Sequence, residues 1–260
     1  MKKFWTDIQK YFAYALYGAK VDLKAEVANS YLNWVWWILE PFCEMIIFTV
    51  VFGVLFASSE QYFPVYIYSG LIMWNFFART VTYSVGLIRK NKGIITKVYV
   101  PKFIFLLENM FLNAVKLLIS FSILLVMMVA YKVPFTLNIF YLMPVYFVYM
   151  IFTFGLSMIL LHFGVFIDDL AYAISILLRF LFYISGVFYS IDKRFPETQA
   201  VFMKNCNPIA TVMDMMHNAL LYGIRPAFSQ LGIWLCVAIL LCIFGIRKIY
   251  KYENSYIKVI

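Results

Sequence analysis

The chain has 260 residues, of which 64% are hydrophobic, 20% aromatic and only 13% charged, with a net charge of +9. Soluble domains carry about a quarter charged residues, so this composition excludes a water-facing exterior over most of the chain and makes lipid its main solvent. The basic excess raises nucleic-acid binding as a class, which the placement of those charges argues against.

Residues 4–16 set Phe4, Trp5, Ile8, Tyr11, Phe12, Ala15 and Leu16 at helical spacing, with Lys2, Lys3, Asp7 and Lys10 elsewhere. That pattern predicts an amphipathic helix on a membrane surface. Its early charges interrupt any uniform apolar stretch, so no cleavable signal peptide is expected. Apolar runs follow at 34–57, 63–88, 103–130, 139–167, 171–191, 208–222 and 227–250. All but 208–222 are long enough to cross about 30 Å of hydrocarbon; the 15 residues of that run reach only about 22 Å as a helix.

Charge decides the topology. With an inside amino terminus and six crossings, Lys2, Lys3, Lys10, Lys20 and Lys24, then Arg89, Lys90, Lys92, Lys97 and Lys102, then Arg247, Lys248, Lys251 and Lys258 lie inside. Only Lys132, Lys193, Arg194, Lys204 and Arg225 lie outside. Positive residues favour the cytoplasmic side, and a seventh crossing would put the basic tail outside. Residues 208–222 are therefore expected to dip into the outer leaflet and return, started by Asn207-Pro208 and stopped by Tyr222-Gly223 and Arg225-Pro226. The expected fold is an all-α polytopic membrane protein. It has an interface segment at 1–33, six transmembrane helices over 34–250 with an inner loop at 89–102 and an outer hairpin at 192–226, and a cytoplasmic tail at 251–260.

Several charges fall inside the spans. Glu40 and Glu44 share one helical face. Counted from the inner end, Glu44 lies about 15 Å deep, Arg79 about 13 Å and Arg179 about 12 Å. An isolated charge at the bilayer centre costs about 2.5–3.5 kcal/mol, so these groups either line a polar path or pair to lock helices. By depth, Glu44 with Arg79 and Glu44 with Arg179 are candidate pairs among the intramembrane charges Glu40, Glu44, Arg79 and Arg179. Lys116 lies deeper with no evident partner, and Glu108 nearer the inner end.

Chemistry-bearing motifs are scarce. The sequence contains no Gly-x-x-x-x-Gly-Lys-Ser/Thr run, so P-loop nucleotide binding is not expected. Cys43, Cys206, Cys236 and Cys242 have no metal spacing, and His162 and His217 lie far apart without a nucleophile. Asp168-Asp169 suggests a diphosphate–metal motif of membrane prenyltransferases, but no third Asp follows, and a helix-end charge pair accounts for it better.

The inner loop reads Arg89-Lys90-Asn91-Lys92-Gly93-Ile94-Ile95-Thr96-Lys97-Val98-Tyr99-Val100-Pro101-Lys102. Between Gly93 and Pro101, Ile94, Ile95, Val98 and Tyr99 stand at helical spacing. A short amphipathic helix there suits either docking on a cytoplasmic protein or rest on anionic lipid.

These residues resemble the membrane subunit of type-2 ABC exporters, in the branch that exports O-antigen, capsule and teichoic acid. Ser30-Tyr31-Leu32-Asn33-Trp34-Val35-Trp36-Trp37 with Glu40-Pro41 is similar to that family's Ser-x-Leu-Gly-x-x-Trp-x…Pro start of the first span. The stretch 93–102 resembles its coupling-helix loop, Gly-Leu-Ile-x-Lys-Val-Tyr-Phe-Pro-Arg. Val165 to Leu170 resembles its Phe-Arg-Asp turn. Tyr183-Ile184-Ser185-Gly186-Val187-Phe188-Tyr189 with Asn207-Pro208 resembles its Ser-Pro-x-x-Tyr…Asn-Pro outer hairpin. Asn33, Asp168, Gly186 and His217 depart from the usual Gly, Arg, Pro and Arg.

The resemblance implies a homodimeric conduit in a bacterial cytoplasmic membrane, with both termini cytoplasmic. Its coupling loop would comprise Asn91, Lys92, Gly93, Ile94, Ile95, Thr96, Lys97, Val98, Tyr99 and Pro101. The partner would be a separate subunit that binds ATP and magnesium, with no cofactor on this chain. The cargo would be a glycan or teichoic-acid-type polymer on a polyprenyl diphosphate, for which Lys20 and Lys24 are candidate headgroup contacts. An exporter of small hydrophobic compounds, a polytopic enzyme acting on polyprenyl lipids through Asp168 and Asp169, and a channel or receptor are the rival readings.

Overall fold

A computed structural model describes residues 2–28, 33–55 and 60–259, and among these residues there is no strand. The helices are α1 (Lys2–Ala28), α2 (Asn33–Phe48), α3 (Phe63–Lys90), α4 (Lys92–Ile95), α5 (Lys102–Ala130), α6 (Leu142–Phe166), α7 (Leu170–Ile184), α8 (Ile191–Arg194), α9 (Glu197–Cys206), α10 (Pro208–Leu221) and α11 (Phe228–Val259). A π-helical stretch, Thr49–Leu55, continues α2, and a 3₁₀ turn, Leu137–Tyr141, precedes α6. Ser30, Tyr31 and Leu32, which open the resemblance at the first span, lie outside the described residues.

Among the described residues, four stretches are helical, long and apolar enough to cross a bilayer: Trp34–Gly53, Lys102–Ala130, Leu137–Phe166 and Phe228–Tyr256. The 28-residue α3 is long enough but more polar, because it sits at the centre, packed by α2, α5, α6, α7 and α10. A helix surrounded by protein can carry Asn75, Arg79, Thr80 and Ser84 that a lipid-facing helix cannot. The outward residues of the outer helices fit lipid: Leu118, Val126 and Val129 on α5, Phe147 on α6, and Ile233 and Leu240 on α11 are all exposed.

Helices in lipid gain little from burying apolar surface against one another, so close backbone approach must hold them together. α6 supplies it on two sides. A Cβ on Gly155 would lie 2.9 Å from the Cys242 nitrogen of α11, and one on Gly164 would collide with the Val85 carbonyl of α3. Within α2, Pro41 removes the amide that would satisfy the Trp37 carbonyl; the Ser120 hydroxyl of α5 approaches that oxygen at 3.5 Å.

Three expectations need correction. The run 171–191 is not one helix: α7 stops at Ile184. The Ser185 hydroxyl bonds the Leu181 carbonyl at 2.6 Å, Gly186 adopts φ +72°, and the Tyr66 hydroxyl donates to the carbonyls of Gly186 and Tyr189 at 3.2 and 2.9 Å. Its 15 residues span only about 22 Å.

Nor does the segment 208–222 fold back alone. α9 and α10 pack on each other about a turn at Asn207. As expected from Asn207-Pro208, the Asn207 Oδ1 caps α10 by accepting from the amides of Ile209 and Ala210 at 3.0 and 3.3 Å. Its Nδ2 donates to Ser185 Oγ at 3.0 Å. The turn lies beside Phe77, Phe152 and Leu181 around an apolar cavity of about 360 Å³. His217, further along α10, stacks on Tyr66 with ring centroids 3.6 Å apart.

The inner loop holds less helix than its periodicity suggests. α4 covers only Lys92–Ile95, with Gly93 inside it. Ile95 is buried, whereas Ile94, Val98 and Tyr99 are exposed.

Candidate functional site

The polar groups of α3 recur at Asn75, Arg79, Thr82–Tyr83 and Lys90, so one face of this central helix is a polar stripe. Three cavities follow it. The first, about 870 Å³, lies between α1, α3 and α5 and is lined by Asp22, Glu26, Arg79, Tyr83, Lys90 and Lys116, among others. The second, about 20 Å³, shares Arg79, Asn113 and Lys116 with the first and adds Asn75 and Ser120. Its size and polar lining suit a single water. The third, about 430 Å³, shares Asn75 with the second and is walled by Glu44, Trp74, Arg179, Phe182 and Tyr183. Together they form a polar seam through an otherwise apolar bundle.

Arg79 pairs with Glu40 at 2.5 Å, not with Glu44 as depth alone suggested. Glu44 instead accepts from Asn75 Nδ2 at 3.5 Å. Arg179 is exposed on α7 and faces the same cavity as Glu44. Lys116 does have a partner: its Nζ lies 2.9 Å from Glu26 Oε1 and 2.7 Å from Oε2. Trp37 Nε1 donates to Glu26 Oε2 at 3.1 Å, and the Trp37 ring lies 5.3 Å from the Lys116 ammonium. Glu108 lies against Gly18 of α1, with its Oε2 buried and without a hydrogen bond. The clamp of α1 onto α5 was missed because Glu26 and Lys116 are 90 residues apart; the spacing of Asn75, Arg79 and Tyr83 was the available signal for the seam.

The other expected site residues fall in three places. Lys20 and Lys24 are exposed one turn apart on α1. Ser185, Gly186, Asn207 and Pro208 meet at the turn described above, and the Tyr189 hydroxyl donates to the Tyr183 carbonyl at 2.9 Å. Residues 91–101 project beyond the end of α3. Tyr99 Oη donates to Glu253 Oε2 of α11 at 3.2 Å. Partial burial of that hydroxyl and the adjoining Glu253 carboxylate push its pKa up to about 12, so it remains a neutral donor at physiological pH.

Asp168, the residue an enzyme reading leans on, is exposed and ion-paired with Arg89. Among the described residues no group of three or more His, Cys, Asp or Glu is placed to hold a metal ion.

Fold and seam together define an all-helical, multi-pass membrane protein with polar cavities along its central helix. No protein-family model matches the chain. It is similar to the O-antigen export system permease protein RfbA of Myxococcus xanthus, 26% identical over 204 residues, which is 78% of each chain. Two proteins of the same description from Klebsiella pneumoniae are 23% and 22% identical over 240 residues, 92% of each chain. The resemblance to polysaccharide-export permeases read from the motifs is thereby borne out over most of the chain.

Proposed function

We propose that this chain is the transmembrane subunit of an ABC exporter that moves a polysaccharide or teichoic-acid-type polymer, carried on a polyprenyl diphosphate, across the cytoplasmic membrane. The observation that carries the reading is the likeness to O-antigen export permeases over 78–92% of the chain. The seam supports it, since a hydrophilic polymer requires a hydrated route and aromatic side chains offer sugar rings weak, sliding contact.

In this reading α2, α3, α5, α6 and α11 cross the membrane as helices, α7 crosses only together with the turn at 185–190 that follows it, and both termini are cytoplasmic. α1 lies at the inner interface, and α9 and α10 form a re-entrant outer hairpin. Non-helical backbone at membrane depth is tolerable there because Asn207 and Ser185 satisfy one another inside protein. Two copies enclose the path. A separate ATP-hydrolysing subunit docks on the loop 91–101, where Ile94, Val98 and Tyr99 are exposed. Lys20 and Lys24 are positioned to attract an anionic headgroup.

Deletion of the gene tests the proposal. Loss of surface glycan with unchanged drug sensitivity is the expected result. Normal surface glycan with heightened sensitivity to hydrophobic compounds would favour the rival cargo. Purification in mild detergent should recover an ATP-binding subunit with this chain.

A further inference from the structure

Lys102 is only 1% exposed although it opens α5 directly after the inner loop. Its Nζ lies 3.9 Å from Glu253 Oε1, donates to the Val100 carbonyl at 3.2 Å and sits 5.5 Å from the Tyr99 ring. Glu253, on the far end of α11, is itself buried and also accepts from Tyr99. The neighbouring turn of α11 is tied to α1, where Tyr250 Oη donates to Asp7 Oδ2 at 2.6 Å. Tyr11 of α1 reaches the Tyr99 carbonyl at 3.4 Å. Tyr256 completes the cluster by meeting His162 Nδ1 of α6 at 2.9 Å. The exit of the loop is thus linked to α11 through the buried Lys102 and Glu253 and the half-exposed Tyr99, and to α1 through the exposed contact of Tyr11, while its apolar face at Ile94 and Val98 stays exposed.

A buried ion pair is a poor way to gain stability, because desolvation offsets most of the attraction. Here the Lys102–Glu253 contact is an ion pair without a hydrogen bond, and the hydrogen bond from Tyr99 to Glu253 supplies the direction that holds the loop and α11 in one register. We infer that Lys102 and Glu253, with Tyr99, form a latch that transmits displacement of the loop 91–101 to α11. They are positioning residues for transport. A push on the exposed face cannot be absorbed by flexing of residues 99–102, so it moves the last long helix, which packs along α6. This inference rests on the proposed docking of an ATP-hydrolysing subunit at that loop.

The test uses the complete transporter in vesicles, with ATP hydrolysis and glycan export measured together for Glu253→Gln, Lys102→Gln and the exchange Lys102→Glu with Glu253→Lys. In the single variants, glycan exported per ATP hydrolysed should fall about tenfold while hydrolysis and subunit assembly change less than about twofold, and the exchange should recover most of the ratio. A merely structural pair would lower export and hydrolysis in proportion. That outcome, or an unchanged ratio in an assembled variant, overturns the latch.

A second measurement is independent of cargo. Spin labels at positions 98 and 248, in a background without the four native cysteines, should report a narrow distance distribution in the unaltered chain and a broad one in Glu253→Gln. An equally narrow distribution overturns the latch even if export proceeds as proposed. A broad one combined with no glycan export by the unaltered transporter sinks the proposed function instead.

Discussion

Replacing Glu26 by Gln should destabilise the protein more than removing its partner. The Lys116 side chain is 13% exposed and the Glu26 side chain 38%, at a separation of 2.7 Å. Glu26→Gln leaves a largely buried ammonium at the wall of the large cavity, with an amide and the Trp37 ring in place of a carboxylate. Stranding one member of a buried pair costs about 3–5 kcal/mol and breaking an exposed pair about 0–1 kcal/mol; with one end buried and the other open to the large cavity, about 2 kcal/mol is expected. For a chain of this size that corresponds to an apparent melting temperature lower by about 4–8 °C.

Lys116→Met removes the buried charge and keeps the volume, while Glu26 remains at the cavity wall. Its cost should stay below about 1 kcal/mol. Thermal denaturation of the purified protein in detergent, followed by size-exclusion chromatography, compares the two. Equal damage from both variants, or none from Glu26→Gln, would refute the assignment of Lys116 as the desolvated partner.

Gly164→Ala should cost about 2–3 kcal/mol, because the new Cβ meets the Val85 backbone of α3 rather than a side chain that can yield; a sharp fall in folded yield checks it. Asn207→Ala should cost about 2 kcal/mol, the sum of a lost helix cap and the lost Ser185 bond, seen as earlier melting and faster proteolysis between α9 and α10. Asp168→Asn should change stability by less than about 1 kcal/mol, since its pair with Arg89 is exposed. Thermal melting checks that value, and glycan export should persist in the variant.

Much of the helical layout was legible in the sequence. The apolar runs anticipated the positions of α2, α3, α5, α6 and α11, and Asn207-Pro208 marked the start of α10. These features are local: they depend on run length, a capping oxygen and a missing amide. The end of α7 was not local, because the turn at 185–189 is closed by Tyr66, more than a hundred residues away. α9 was hidden by its polar composition, which resembles a loop until α10 is there to pack against.

The charged site shows the same division. Sequence alone determined that Glu40, Glu44, Arg79, Arg179 and Lys116 fall within apolar segments, since counting residues along a helix gives depth. Glu40 and Glu44 differ by about 6 Å along the axis, too little for depth to choose between them as the partner of Arg79. Only the tertiary structure fixed which helices adjoin and how each is rotated, and so gave Arg79 to Glu40, Lys116 to Glu26 and Lys102 to Glu253.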